Sequence, residues 1–291
     1  MLFTPKEKII KYVEVRPNSY SGLGNRIKCL VSGMLIADKL NAKILLNWNK
    51  SKGCNCSFKE LFENEFYLIN DTFLFSFLRK FKFLRKNNLN TISMNTWRLL
   101  LFSDISKYYG NMKVLKEDII DFKYEKIPIS KRVEILKYLS QLKPKKNIKD
   151  EAERFSKKIS ENTIYFAIRS WADCPTKKRK NFQFRRIFKI MDLFPSSNFY
   201  ISCDSDEVLK KIVDKYGSRI LYYPHKATIG DRNSKKGIQE ALIEILILSK
   251  SKKIFATKSS TFSEVAWWFG GCKAKVFIIE DYFNNQFNNY I

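Results

Sequence analysis

The sequence is poor in the residues that build metal sites. It contains one histidine, His225, and six cysteines, none of which belongs to a C-x-x-C motif. Zinc sites draw their ligands from clusters of cysteine and histidine, so we expect no zinc site. Cys54 and Cys56 are too close in sequence for a typical disulfide, and reduced thiols fit a cytosolic compartment. The expected location is therefore cytoplasmic.

Long apolar runs are also missing. No stretch approaches the roughly 20 apolar residues that cross a membrane as a helix. No apolar core follows the charges of the first ten residues, MLFTPKEKII, as a signal peptide would require. We expect neither a membrane span nor a secretory signal in this sequence.

Acidic residues are scarce relative to basic ones. Lys and Arg number 54 against 29 Asp and Glu, which gives a formal net charge of +25. This excess favours an anionic partner, such as a nucleotide, a nucleic acid or an anionic membrane surface that binds the protein peripherally. A composition biased toward Lys, Asn and Ile would produce the same charge without a partner. No RNA-binding signature is present, so no specific nucleic acid is expected. A non-enzymatic basic protein that binds RNA or an anionic surface remains an alternative.

The second half of the chain alternates apolar strands with helical patterns, which predicts a parallel sheet with helical crossovers. The predicted strands are 163–169, 198–203, 219–223, 252–256 and 274–279, and the predicted helices are 180–192, 206–217, 237–249 and 262–269.

The first half begins with a similar unit. A strand at 11–16, a helix at about 25–40 and a strand at 43–48 predict a βαβ arrangement. The aromatic and basic run Phe73 to Phe83 is interpreted as a core helix rather than a nucleic-acid or membrane contact. A polar break near Pro144 separates the halves, so we predict an α/β protein with domains 1–146 and 147–291.

Three polar features follow predicted strands of the second half. They are Arg169, Asp204 and the Ser259-Ser260-Thr261 cluster. Ligands of parallel α/β sheets bind outside the carboxyl ends of the strands, where these features should converge. A Ser/Thr cluster at a helix start can bind an anion. It can also be a plain N-cap.

Two glycines, Gly22 and Gly24, lie between the first predicted strand and helix, in a segment interpreted as a tight loop. The spacing is not the dinucleotide fingerprint, because the third glycine of that motif is absent. The glycines could allow backbone to approach a ligand closely, or could serve a turn that needs positive φ.

Several short motifs, in this order and spacing, resemble those of a known family. They are Gly22 to Arg26, Ala167 to Arg169, Ser202 to Asp204, Ile247 to Ser249 and Ser260 to Ser263. The combination is similar to the fucosyltransferases that include protein O-fucosyltransferases, α1,6- and α1,2-fucosyltransferases and nodulation fucosyltransferases.

This resemblance implies a GT-B-like fold, with two facing Rossmann-like domains and a cleft between them. The first domain would face the acceptor and the second would bind the nucleotide sugar. The implied activity is inverting, metal-independent transfer of fucose from GDP-fucose to an acceptor, without a cofactor. The acceptor would be a glycan, a lipid-linked glycan or a protein.

The resemblance also assigns residues. Arg169 would stabilise the leaving phosphate, Asp173 would help to hold the site and Asn25 would lie beside the reacting centre. A structural alternative for Arg169 is an ion pair with Asp173. The implied donor-binding residues are Gly22, Leu23, Gly24, Arg26, Asp204, Ser259, Ser260, Thr261 and Phe262.

One alternative concerns the motif Asp204-Ser205-Asp206. Asp-x-Asp after a strand is the metal signature of the other large glycosyltransferase architecture, where two carboxylates hold Mn²⁺ or Mg²⁺ against a diphosphate. That alternative predicts a metal-dependent enzyme that uses another nucleotide sugar. The late position of the motif in the chain favours the metal-independent interpretation, in which no metal is bound.

Overall fold

A computed structural model describes residues 12–17, 19, 21–68, 91–94, 99–100, 119–120, 124, 127, 129–170, 184–224, 233–258 and 260–283. Within these residues the chain forms two sheets of parallel strands and a short antiparallel pair, with α-helices packed around the sheets.

The strands are short, and most belong to one of the two parallel sheets. They are β1 (Tyr12–Val15), β2 (Lys43–Leu46), β3 (Tyr67–Leu68), β4 (Thr91–Met94), β5 (Leu99–Leu100), β6 (Ile119–Ile120), β7 (Ile164–Ile168), β8 (Phe199–Cys203), β9 (Ile220–Leu221), β10 (Lys253–Ala256) and β11 (Lys275–Ile278).

The helices mostly connect consecutive strands. They are α1 (Leu23–Lys39), α2 (Ile129–Leu139), α3 (Lys146–Ser156), α4 (Phe184–Asp192), α5 (Asp206–Tyr216), α6 (Lys235–Leu248) and α7 (Thr261–Phe269). None of the helices in the described ranges is long and apolar enough to span a membrane.

The first sheet has the order β3-β2-β1-β4, and its strands are parallel. Helix α1 connects β1 to β2 and packs on β1. A Cβ added at Gly33 would lie 2.1 Å from a methyl group of Val15, so a glycine is required where helix and strand approach. From Leu23 to Ala37, every residue of α1 except Asn25 is buried, which makes α1 a central helix.

The second sheet has the order β11-β10-β7-β8-β9 and is also parallel. Alternate residues of β7 enter different cores, with Phe166 packing among residues of α4 and α5, and Tyr165 on the opposite face with α3 and α6. A strand buried on both faces needs apolar residues at nearly every position, as the sequence Ile-Tyr-Phe-Ala-Ile provides.

One hydrophobic core joins the two sheets. It contains Val15 of β1 and Leu30 of α1 together with Leu242 of α6 and Trp267 of α7. Helix α1 contacts both α6 and α7, and α2 also packs on α7. Helices of the second half of the chain therefore pack directly against helices of the first half.

The predicted α/β class with parallel sheets is confirmed. The strands and helices predicted in the second half all occur, with ends within a few residues of the prediction. The tight loop predicted over 21–26 is wrong from Leu23 onward, because α1 begins at Leu23 and includes most of that segment. The domain boundary at 146/147 stays a prediction, and the Phe73 to Phe83 run lies outside the described residues.

Candidate functional site

Arg169 and Asp204 form an ion pair at the carboxyl edge of the second sheet. Arg169 directly follows β7 and Asp204 directly follows the neighbouring strand β8. Arg169 Nε lies 3.3 Å from Asp204 Oδ2. The other oxygen, Oδ1, accepts hydrogen bonds from the Ser170 N–H at 2.7 Å and the Ser170 hydroxyl at 2.8 Å. Arg169 is thus ion-paired with Asp204, and the alternative pairing with Asp173 stays a prediction because Asp173 lies outside the described residues.

This ion pair is well shielded from solvent. Asp204 is buried and the Arg169 side chain is 16% exposed. Burial raises the pKa of the neighbouring Cys203 thiol, and the Asp204 charge raises it further, which favours the neutral thiol.

The backbone of Arg169 is held by a residue that follows β10, the neighbour of β7 on the other side in the sheet. Its N–H donates to the hydroxyl of Thr257, which directly follows β10, at 2.9 Å. The Thr257 N–H donates in turn to the carbonyl of Ala167 at 3.1 Å. Sequence reasoning did not identify Thr257 or Ser170. Each nevertheless directly follows a predicted strand, and this position is the signal that could have identified them.

Helix α7 begins at Thr261, four residues after Thr257, and its N-cap residue provides no side-chain cap. Ser260 is the N-cap residue, and its side chain makes no capping hydrogen bond. The Ser263 hydroxyl donates to the Ser260 carbonyl at 3.0 Å and also contacts the Tyr124 hydroxyl at 3.2 Å. Ser260 therefore occupies the N-cap position, but without the side-chain hydrogen bond of a plain Ser/Thr cap. The first N–H groups of α7 carry the positive end of the helix dipole at this edge. Ser259 lies outside the described residues.

The N-terminus of α1 meets the N-terminus of α7. A Cβ added at Gly24 would lie 2.9 Å from the carbonyl oxygen of Thr261 and 3.4 Å from the nitrogen of Phe262. Gly22 precedes α1 with an extended backbone at φ −73°, and Leu23 is buried. Gly24 lies within α1 and has no positive φ, so the turn interpretation does not fit it. Its missing Cβ lets the two helices touch, and close approach to a ligand stays a prediction. The motifs of the two halves are thus adjacent in space.

Asn25 lies in the same first turn of α1. Its Oδ1 atom is buried and has no hydrogen-bond partner among the residues that the structure describes. An unsatisfied buried acceptor costs on the order of 1–3 kcal/mol, so such an atom is a candidate for ligand contact. Asn47 Oδ1 and Ser251 Oγ share this property. Asn25 differs from them because it lies beside the contact between α1 and α7.

Arg26 has a structural environment. It is buried and donates to the Ser21 carbonyl at 3.1 Å, the Asn49 carbonyl at 2.7 Å and the Ser51 hydroxyl at 2.8 Å. Its guanidinium also lies over the ring of Trp48, with 5.4 Å to the ring centroid. These contacts hold the loop after β2. They leave the donor-binding role assigned to Arg26 without structural support.

The two carboxylates of the Asp-x-Asp motif lie in different environments. Asp204 is engaged by Arg169 and Ser170, whereas Asp206 is exposed in the first turn of α5. Within the part of the chain that the structure describes, no group of three or more His, Cys, Asp or Glu side chains could hold a metal ion. The metal-binding alternative needs only two carboxylates and a diphosphate, so the choice between it and the metal-independent interpretation stays a prediction.

Comparison with known proteins identifies the fold. No protein-family model matches the sequence, and no curated protein does. The fucosyltransferase NodZ from Bradyrhizobium matches with a TM-score of 0.57 at 12% identity, over 88% of this chain and 91% of that chain. A variant of Arabidopsis thaliana FUT1 in complex with GDP matches with a TM-score of 0.58 at 17% identity, over 94% of this chain and 71% of that one.

POFUT1 in complex with GDP also matches, with a TM-score of 0.53 at 11% identity, over 92% of this chain and 98% of that chain. The chain has the fold of these fucosyltransferases. The resemblance seen in the short motifs is therefore confirmed at the level of the fold, which is what a likeness at such low identity shows.

Proposed function

We propose that this chain is a glycosyltransferase of glycan biosynthesis that transfers fucose from GDP-fucose to a glycan or glycoconjugate acceptor. The observation that carries the proposal is the Arg169–Asp204 pair at the sheet edge that also holds the uncapped N-terminus of α7. The shared fold supports it, since the structures of NodZ, FUT1 and POFUT1 include complexes with GDP. NodZ crystals have also been soaked with GDP-fucose.

The proposed chemistry rests on stabilising the leaving group. When the bond between sugar and diphosphate breaks, negative charge develops on the β-phosphate, and a fixed cation there lowers the barrier. Arg169 carries a permanent charge on a planar fork that suits phosphate oxygens. Its contact with Asp204 fixes the plane of that fork.

We further propose that the reaction needs no metal ion. Arg169 and the first N–H groups of α7 supply positive charge to a diphosphate without a divalent cation. Inversion at the sugar carbon follows from the family resemblance. It is tested by the anomeric configuration of the product, and a retained configuration would contradict it.

Asn25 is proposed to act from the other half of the site. Its unsatisfied Oδ1 requires a hydrogen-bond donor, which a hydroxyl of the sugar or of the acceptor would provide. The two halves would then have separate tasks. The second half would hold the diphosphate, and the first turn of α1 would contact the reacting sugar or the acceptor.

A nucleotide screen tests the proposal. We expect GDP to raise the melting temperature in EDTA at least as much as in Mn²⁺, and more than UDP, ADP or CMP does. At about 100 times the dissociation constant, binding stabilises a protein by about 2.7 kcal/mol, which a thermal shift readily detects. GDP-fucose should then be consumed with release of GDP when an acceptor is present.

Two outcomes would contradict this proposal. A strict requirement for a divalent metal would favour the Asp204–Asp206 interpretation. Equal responses to all four nucleotides, lost steeply between low and moderate salt, would favour a basic protein that binds anions without catalysis.

A further inference from the structure

A buried ion pair connects the two halves of the chain. Lys28 Nζ of α1 lies 2.5 Å from Glu264 Oε2 of α7, and the two side chains are 1% and 2% exposed. The other carboxylate oxygen accepts from the indole N–H of Trp268 at 3.4 Å. The two partners are 236 positions apart in the sequence. The pair therefore exists only when the two halves are docked.

The ion pair lies one helical turn from the candidate site in both helices. Lys28 follows Gly24 by four positions and Asn25 by three, and Glu264 follows Thr261 by three. Residues three or four apart share a face of a helix. The ion pair and the Gly24–Thr261 contact are thus successive layers of one helix–helix interface. Each helix carries a site feature in its first turn.

Stability alone does not explain a buried ion pair. Well-packed apolar side chains of similar size are often equally or more stabilising, because two charges lose their hydration on burial. The best-attested use of a buried polar pair is to select one register between helices. Apolar contacts can persist when two helices slide along each other. A charged hydrogen bond persists only if its donor and acceptor shift by no more than a few tenths of an ångström.

We propose that Lys28 and Glu264 are positioning residues that fix the register of α1 against α7. They thereby place Asn25 against the half of the site that contains Arg169. This inference rests on the proposed function, in which both halves contribute to the reaction. A displacement of about 1 Å at a reacting group can reduce a rate by about a hundredfold. An ion pair that fixes the register of the two helices would therefore affect catalysis.

The test replaces both charges together. Lys28→Met alone would leave the carboxylate buried without its cation and could prevent folding, so the main variant is Lys28→Met/Glu264→Leu. The matched control is Lys39→Met on the same helix. Lys39 pairs with Glu134 of α2 at 3.0 Å, near the opposite end of α1 from the site.

We expect the double variant to fold with a melting temperature near that of the wild type. Its GDP affinity should stay within about threefold, because the groups proposed to hold the diphosphate belong to the second half. We expect kcat to fall by about tenfold or more. Backbone amides of the first turns, over 22–28 and 260–264, should exchange hydrogen faster. The Lys39→Met control should keep wild-type kcat and exchange in these turns.

A coupling measurement separates positioning from general support. Asn25→Ala is made in the wild type and in the double variant, and the loss of kcat is compared. If the pair positions Asn25, its removal should cost much less in the double variant. An equal loss in both backgrounds, normal kcat in the double variant, or unchanged hydrogen exchange would each overturn the inference. A wild-type protein that binds no GDP would refute the proposed function itself and the inference with it.

Discussion

Substituting Arg169 by lysine separates a catalytic role from a structural one. Lysine keeps the positive charge but lacks the Nε atom that lies 3.3 Å from Asp204 Oδ2. Its single ammonium can face the carboxylate or a phosphate, but it cannot form the planar fork that does both. We therefore expect the substitution to weaken stabilisation of the leaving group while conserving net charge.

The size of the effect follows from the contacts. Loss of one well-placed donor to a developing anion reduces turnover by about a hundredfold or more, which corresponds to about 2.7 kcal/mol. The cost to folding should be smaller, since Asp204 retains both hydrogen bonds from Ser170. The backbone bond from Arg169 to Thr257 is also unaffected by the side chain. We expect a loss of about 1 kcal/mol of folding stability, or a few degrees in melting temperature.

Arg219→Lys provides the matched control. Arg219 precedes β9 of the same sheet, where it donates to the Ser197 carbonyl at 3.0 Å and the Phe194 carbonyl at 2.6 Å. Its guanidinium lies 4.9 Å from the ring centroid of Phe199. Every one of these contacts is structural. The control should therefore lose stability while the folded fraction retains normal turnover.

The assay is GDP release from GDP-fucose with acceptor, alongside thermal melting of each variant. If Arg169 is catalytic, Arg169→Lys should lose most of its turnover with a small change in melting temperature. Arg219→Lys should show a lower melting temperature with nearly normal turnover. Normal turnover in Arg169→Lys would remove Arg169 from the mechanism. A loss of turnover that merely parallels a loss of folded protein would make its role structural.

A further substitution tests the contact between α1 and α7, and a binding measurement tests the role of the net positive charge. Gly24→Ala should destabilise the fold by about 1–3 kcal/mol and lower kcat, because the new Cβ would lie 2.9 Å from the Thr261 carbonyl oxygen and backbone cannot yield easily. Gly33→Ala is the comparison, because the three atoms nearest to its new Cβ all belong to the Val15 side chain. It should lose stability but keep kcat per folded molecule, and equal kcat in both variants would contradict the role of Gly24. The net charge of +25 leads us to propose that the protein associates with anionic membranes, so it should float with anionic vesicles at moderate salt. Recovery of all the protein in the unbound fraction would assign the charge to composition alone.

Local patterns were sufficient to predict the second sheet. The segment 163–169 is apolar at nearly every position and lies between helical patterns, as expected of a strand covered on both faces. Its observed limits, Ile164–Ile168, differ from the prediction by one residue at each end. Arg169 and Asp204 could be placed at one edge for the same reason, because the carboxyl ends of parallel strands coincide.

Contacts between side chains at that edge could not be predicted in the same way. An ion pair with Asp173, four positions away, was the structural alternative for Arg169, and it stays a prediction because Asp173 lies outside the described residues. The ion pair with Asp204 was not anticipated, because it depends on which strands are neighbours in the sheet. The sequence does not show that β7 and β8 are neighbours, whereas the structure does.

The contact between α1 and α7 depends on packing that no local pattern contains. Gly24 has to be glycine because of a carbonyl that belongs to Thr261, in the other half of the chain. Considered alone, two glycines between a strand and a helix indicate a turn or a ligand. The sequence could therefore identify the position as special without identifying the reason.

Lys28 and Glu264 show what the sequence does contain about such an interface. If α1 were an amphipathic helix with one buried face, a lysine outside that face would be solvated. From Leu23 to Ala37, however, the helix has almost no continuous polar face, which is the pattern of a helix enclosed on all sides. A charge in an enclosed helix must be neutralised by a partner, because an isolated buried ion is too costly. Glu264 lies among the mostly apolar residues of α7 and is subject to the same requirement. Both helices lack polar faces and carry buried charges of opposite sign, and this combination favours packing of the two helices against each other.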